Sequence, residues 1–136
     1  MDCIFCKIIE GDLPSYKIYE DKRALAFLDI NPVSKGHIVV VPKEHYLNMF
    51  DVPPDILKDL VVVSQKLAKI LTEALGIKGY NFTVNNGRVA GQVIDHLHFH
   101  IIPRSEGDNL HLWPGKAFTN EEMRRTADTI KSLTNN

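Results

Sequence analysis

Three histidines alternate with apolar residues along His96-Leu97-His98-Phe99-His100-Ile101-Ile102. In a β-strand, alternate side chains share a face. Leu97, Phe99 and Ile101 then take the core face, and His96, His98 and His100 line the other. One histidine on a polar strand face is ordinarily solvated or hydrogen-bonded. Three in alternation are different, because each protonation disfavours the next. An imidazole kept neutral near pH 7 is a nucleophile, a general base or a metal ligand. The alternation alone does not choose among these.

A second group bears on that choice. Cys3 and Cys6 have C-x2-C spacing, a common half of a zinc site. A redox pair ordinarily opens a helix after a strand, and only two residues precede Cys3. Two ordinary thiols are the bland alternative. A zinc site needs two more ligands, and the chain holds six histidines: His37, His45, His96, His98, His100 and His111.

The elements that must position these residues follow from the apolar pattern. Tyr16 to Ile30 predicts two short strands with a turn at Glu20-Asp21-Lys22-Arg23, ended by Asn31-Pro32. Gly36 to Val41 is a third strand, closed by Pro42. Asp51 is the expected N-cap of a long helix with Pro53 and Pro54 in its first turn. Ile56, Leu60, Val63, Leu67, Ile70, Leu71 and Ala74 carry its helical spacing, and Gly76 stops it. Tyr80 to Val84 is a strand, followed by turn residues Asn85-Asn86-Gly87. Leu97 to Ile102 is the last strand, stopped by Pro103. Residues 104–118 read as loop. Thr119 to Leu133 reads as a short helix docked on the sheet, with Thr119 and Glu122 as a capping box. Strands clustered around one long helix give an α+β fold with a mainly antiparallel sheet.

If the Gly36 strand runs antiparallel beside the His96 strand, the end of one meets the start of the other. His45 then approaches His96, and His37 approaches His98 and His100. This division gives a closed zinc site of Cys3, Cys6, His45 and His96. It leaves His37, His98 and His100 for chemistry.

Composition excludes several classes. The chain has 136 residues, suited to one domain, with 44% hydrophobic and 24% charged residues. Its net charge of -1 argues against non-specific nucleic-acid binding, which needs surplus Lys and Arg. No stretch approaches the ~18 apolar residues of a membrane span. The N-terminus shows no signal-peptide pattern, so a cytoplasmic protein with reduced thiols is expected.

His96-Leu97-His98-Phe99-His100-Ile101-Ile102 resembles the H-φ-H-φ-H-φ-φ signature (φ apolar) of the histidine triad (HIT) superfamily. The likeness extends to Cys3-Ile4-Phe5-Cys6-Lys7-Ile8-Ile9, Tyr19-Glu20-Asp21, Ala26-Phe27-Leu28-Asp29-Ile30 and the Gly36 to His45 block. It continues through Val84-Asn85-Asn86-Gly87 and Gly91-Gln92, covering roughly residues 3 to 105 in order. The pattern is most similar to the zinc-bearing Hint-like branch. The resemblance implies a five-stranded antiparallel sheet with one long helix and shorter terminal helices, usually a homodimer. Residues 1–115 would form the HIT domain, and 116–136 a helical tail of the same domain.

The resemblance also implies an activity and site roles. The family transfers or hydrolyses nucleoside 5′-monophosphate groups through a covalent nucleotidyl-histidine. His98 resembles the nucleophile, His100 the histidine that contacts the α-phosphate, and His37 the one that supports proton traffic. Asn85 resembles a phosphate contact and Asp29 the acid that grips the ribose hydroxyls. Phe5, Ile8, Phe27 and Ile30 resemble the apolar walls around a purine. Zinc ligands match Cys3, Cys6, His45 and His96. Val93 stands where hydrolase branches place Ser or Thr, and Asp95 departs from the pattern without an evident role.

The nucleophile must be neutral, with its other ring N–H held by an acceptor such as a backbone carbonyl. His100, Asn85 and backbone N–H groups near Gly91-Gln92 would serve the phosphate oxygens. The expected activity is a purine nucleoside phosphoramidase acting on AMP derivatives, with structural zinc and no nucleic-acid or membrane partner. A dinucleoside polyphosphate hydrolase is the alternative, with Arg104 meeting extra phosphates. A zinc-stabilised nucleotide-binding module without turnover is a third. Trp113 lies in the loop after the last strand, where an aromatic residue can anchor a ligand or an interface.

Overall fold

The computed structural model describes residues 2–134. Its elements are α1 (Ile4–Glu10), β1 (Lys17–Glu20), β2 (Ala24–Leu28), β3 (Ile38–Pro42) and α2 (Pro54–Leu75). They continue with β4 (Gly79–Val84), a 3-10 turn (Arg88–Ala90), β5 (Phe99–Arg104) and α3 (Asn120–Thr134). The five strands form one sheet in the order β1-β2-β3-β5-β4. Every pairing is antiparallel, as the α+β expectation requires.

Strands β2 and β3 are apolar on both faces, and their period of two divides the core. Ala24, Ala26, Ile38, Val40, Phe99 and Ile101 meet Leu60, Val63, Leu67 and Leu71 of α2. Leu25, Phe27, Val39 and Val41 face the other way, against Cys3 and Phe5 at the start of α1. The long helix therefore covers one side of the sheet, while the short α1 covers only part of the other. The rest of that second side is where the histidines stand.

The structure corrects four expectations. Strand β5 begins at Phe99, not Leu97, because its ladder with β3 runs only from Val40↔Phe99 to Ile38↔Ile101. His96, Leu97 and His98 are held before the ladder by other bonds, such as Leu97 N–H to the Tyr46 carbonyl at 2.7 Å. Pro103 does not stop β5. It lies two residues beyond the last β3 pair, where only β4 still accompanies the strand. Asp51 is not the cap of α2: Pro53 is, and the Asp51 carboxylate instead accepts from the Leu47 and Asn48 amides. Finally, α3 does not dock. Thr119 Oγ1 accepts from Glu122 N–H as a cap should, but no residue of the helix is buried.

Candidate functional site

The start of α1, the end of β3 and the approach to β5 bring four ligand-type side chains together. Cys3 Sγ lies 3.4 Å from His96 Nδ1, and Cys6 Sγ lies 3.4 Å from His45 Nδ1 and 3.6 Å from His96 Nδ1. All four donor atoms lie within 4.8 Å of one another. Zinc–sulfur and zinc–nitrogen bonds of about 2.3 and 2.0 Å give a tetrahedral S···N edge of roughly 3.5 Å. The spacing thus fits a tetrahedral ion of that size. The tautomer fits too: His96 Nε2–H donates to the Pro42 carbonyl at 2.9 Å, which leaves Nδ1 as a lone pair toward the sulfurs. Burial, helped by the neighbouring His45 and His98, holds His96 down at about 4, so it stays neutral. Burial, the Cys3 thiol and nearby negative charge push Cys6 up to about 11. A bound cation would reverse that and release the thiol proton.

Two residues farther on, His98 has the opposite tautomer. Its Nδ1–H donates to the His96 carbonyl at 2.7 Å, the kind of acceptor a neutral nucleophile needs. Nε2 is left as a lone pair on a ring that lines a cavity of about 570 Å³. That volume suits a small-molecule ligand. Phe5 stands edge-on to the ring, 5.1 Å between centroids. Burial lowers the His98 pKa below the ordinary histidine value.

His37 and His100 form a directed pair. The Val33 amide donates to His37 Nδ1 at 3.1 Å, so the His37 proton sits on Nε2. That nitrogen lies 2.8 Å from His100 Nδ1 and donates to it. His100 is left with an Nε2–H donor. Burial, then the neighbouring His98 and His37, hold His100 down at about 4, while burial lowers His37 against the opposing pull of Asp29. Asp29 Oδ2 stands 3.8 Å from His37 Nε2. Asp29, His37 and His100 are close enough to resemble a metal triad. The Val33 amide argues against it, since a metal on His37 Nε2 would force a proton onto Nδ1, facing that N–H.

The cavity is lined by Phe5, Asp29, His37, Asn85, His98 and His100 of the expected site, with Trp113 and the 77% exposed Val93 at its rim. Ile8, Phe27, Ile30 and Gln92 are not among its lining residues. Phe27 stands behind Phe5, with ring centroids 5.6 Å apart, and Ile8 packs into the same cluster. Ile30 is 84% exposed. Gln92 is buried and spends its amide on the backbone: Nε2 donates to the Leu47 and Ile94 carbonyls, and Oε1 accepts from Gly87 N–H. It shapes the loop that presents Gly91 and Val93. Asp95 forms a surface pair with Arg88 at 3.4 Å.

Several lining residues were not foreseen. Asn81 and Thr83 face the cavity from β4, where they pair with Ile102 and His100. Their alternation along β4 is a signal that could have found them. Leu110 and His111 also line it, as does Arg104, which the sequence had offered as a phosphate contact. Arg104 uses four of its five N–H donors: it forks onto both Asp108 oxygens at 2.7 and 3.1 Å and donates to Asn81 Oδ1 and the Leu110 carbonyl.

The HIT domain family model matches residues 10–107. The chain belongs to the HIT family. It is 44% identical to the adenosine 5′-monophosphoramidase hnt1 of Schizosaccharomyces pombe, over 97% of this chain and 98% of the yeast protein. It is 41% identical to the adenylylsulfatase HINT3 of Arabidopsis thaliana, over 90% of this chain and 61% of that one. A crystal structure of a zinc-bound histidine triad family protein from Mycobacterium smegmatis superposes with a TM-score of 0.78 at 36% identity, covering 98% of each chain. Against that HIT framework, no helix among the described residues is long and apolar enough to cross a membrane.

Proposed function

We propose that this HIT-family hydrolase cleaves purine nucleoside phosphoramidates at the α-phosphate through a covalent nucleotidyl-His98, releasing the nucleoside 5′-monophosphate. The observation that carries the reading is the His98 tautomer, with Nδ1–H tied to the His96 carbonyl and Nε2 open on the cavity. The identity to an adenosine 5′-monophosphoramidase supports the same reaction class.

His98 Nε2 attacks phosphorus and the phosphorus–nitrogen bond breaks, its electron pair leaving on the amine. Water then displaces His98 from the nucleotidyl-imidazole. One difficult displacement becomes two easier ones. The His100 Nε2–H and the Asn85 amide serve the phosphoryl oxygens, and one such donor is typically worth ~10²–10³ in rate. Asp29 grips the ribose hydroxyls, and Phe5, supported by Phe27, walls the purine. Cys3, Cys6, His45 and His96 would hold a zinc ion closed by protein, which would tie α1 to the approach of β5 and leave no open position for substrate. The HIT domain would span residues 1–115 with 116–136 as its tail, working as a homodimer in the cytoplasm.

The polyphosphate reading loses its main support in the Arg104 fork, since that guanidinium already has four hydrogen bonds. A paired assay tests the proposal. Adenosine 5′-phosphoramidate and diadenosine tetraphosphate are supplied separately, AMP release is followed, and His98→Ala is the control. Faster, His98-dependent release from the phosphoramidate is expected. Faster release from the tetraphosphate would move the protein to the other hydrolase class. AMP binding without turnover of either would leave a binding module.

A further inference from the structure

The mechanism above leaves one requirement unmet: the departing amine must take a proton. Among the cavity's ionisable side chains, almost all are committed. His98 is the nucleophile, and His37 and His100 are joined to each other and kept neutral by burial. Asp29 faces His37 and accepts from Asn31 N–H. Arg104 is locked in its fork. His111 alone lines the cavity with no side-chain partner among the described residues.

Its placement is not left to a loose loop. Asp108 receives the Arg104 fork and also accepts from the Ser105 and Leu110 amides. Arg104 returns a bond to the Leu110 carbonyl at 2.9 Å and another to Asn81 on β4. Asn109, between them, is the only non-glycine residue with positive φ among the described residues, at 59°. Asparagine tolerates that conformation better than other side chains. Residues 108–110 thus form a pinned strap that delivers Leu110, His111, Leu112 and Trp113 to the cavity.

We infer that His111, carried on the strap that Arg104 and Asp108 pin, is the general acid for the leaving group. The inference rests on the proposed phosphoramidase reading. As the phosphorus–nitrogen bond breaks, the protonated His111 ring gives its proton to the leaving nitrogen and becomes neutral. In the second step the neutral ring takes a proton from the attacking water, and His98 recovers its electron pair. The proton borrowed in the first step is thereby restored. Arg104 is a positioning residue, acting through the strap.

The test is a series of AMP anilides whose leaving amines grade from basic to weakly basic, with wild type, His111→Gln, Arg104→Met and His98→Ala. A general acid matters most for the poorest leaving group. For His111→Gln, kcat/KM should fall by about 10²-fold on the most basic amine, with the loss shrinking steadily toward the nitroanilide. The plot against amine basicity therefore steepens. Arg104→Met should steepen it in the same direction while raising KM. Parallel plots for wild type and His111→Gln overturn the inference and leave the phosphoramidase reading standing. Absence of His98-dependent turnover in the wild type overturns both.

Discussion

The sulfur end of the sheet and the cavity share one stretch of chain, yet they set their imidazoles in opposite senses. His96 gives its Nε2–H to the Pro42 carbonyl and turns Nδ1 toward Cys3 and Cys6. His98 gives its Nδ1–H to the His96 carbonyl and turns Nε2 to the cavity. The residue type is the same, the burial is similar, and the difference lies in which backbone carbonyl is within reach. A carbonyl bond decides whether a buried histidine can close a metal site or attack a substrate. The two regions also differ in enclosure: four donor atoms face one another in the first, whereas the second opens on a ligand-sized volume.

The sharpest separation would come from His98→Asn. Turnover should drop by roughly 10⁴-fold or more, as for loss of a nucleophile, with metal content and Tm retained. Steady-state AMP release beside metal analysis checks both halves. Cys6→Ser should do the converse. Bound zinc is lost and Tm falls by about 10 °C or more, while turnover measured well below the transition changes little. If zinc content were unchanged, or stability fully kept in a zinc-free protein, the division into two sites would fail.

Gly36→Ala should reach the cavity indirectly, by pressing on α2 just before His37. Gly36 has φ +89, and an added Cβ would come 2.5 Å from Leu75 Cδ1 and 3.2 Å from Leu71 Cδ1. The neighbouring His37 would shift with it. A stability loss of about 1–3 kcal/mol is expected by urea unfolding, with slower turnover and unchanged zinc content.

Acid should weaken the cavity pair next. His100 sits at about 4 against an ordinary 6.5, and His37 is lowered in the same direction. The unfolded chain therefore takes up these protons first. Their contribution to stability is complete above pH 6.5 and is lost as the pH falls from there toward 4. Unfolding across that window should show a slope that His100→Asn reduces. Asp95→Asn should do least. Its exposed pair with Arg88 is worth about 0–1 kcal/mol, and neither zinc content nor turnover should move.

Much of this contrast was legible in the sequence. The alternation from His96 to His100 gave the two faces, and the strand ends correctly paired His45 with His96 and His37 with His100. Neither tautomer was legible, because each depends on a carbonyl whose position follows from where the ladder begins. The ladder begins at Phe99, and alternation continues unchanged on both sides of that point. Gln92 was placed among the nucleotide contacts only through the resemblance at Gly91-Gln92. Here it turns inward to satisfy three backbone groups. The thin stripe of Met123, Ala127 and Ile130 suggested a docked helix, but all three remain exposed and no residue of α3 is buried. Arg104 and Asp108 were each visible, but not their fork, which needs the turn at Gly107 to fold back.

The chain of donors from Val33 through His37 to His100 has a further consequence. Bulk water responds to a growing negative charge by rotating, and that rotation is part of the activation barrier. A donor whose direction is fixed by a backbone amide two hydrogen bonds away has nothing left to rotate. Its solvation of the developing phosphoryl charge was completed when the chain folded, so the reorganisation cost is met in the stability of residues 33–37 and not in each turnover.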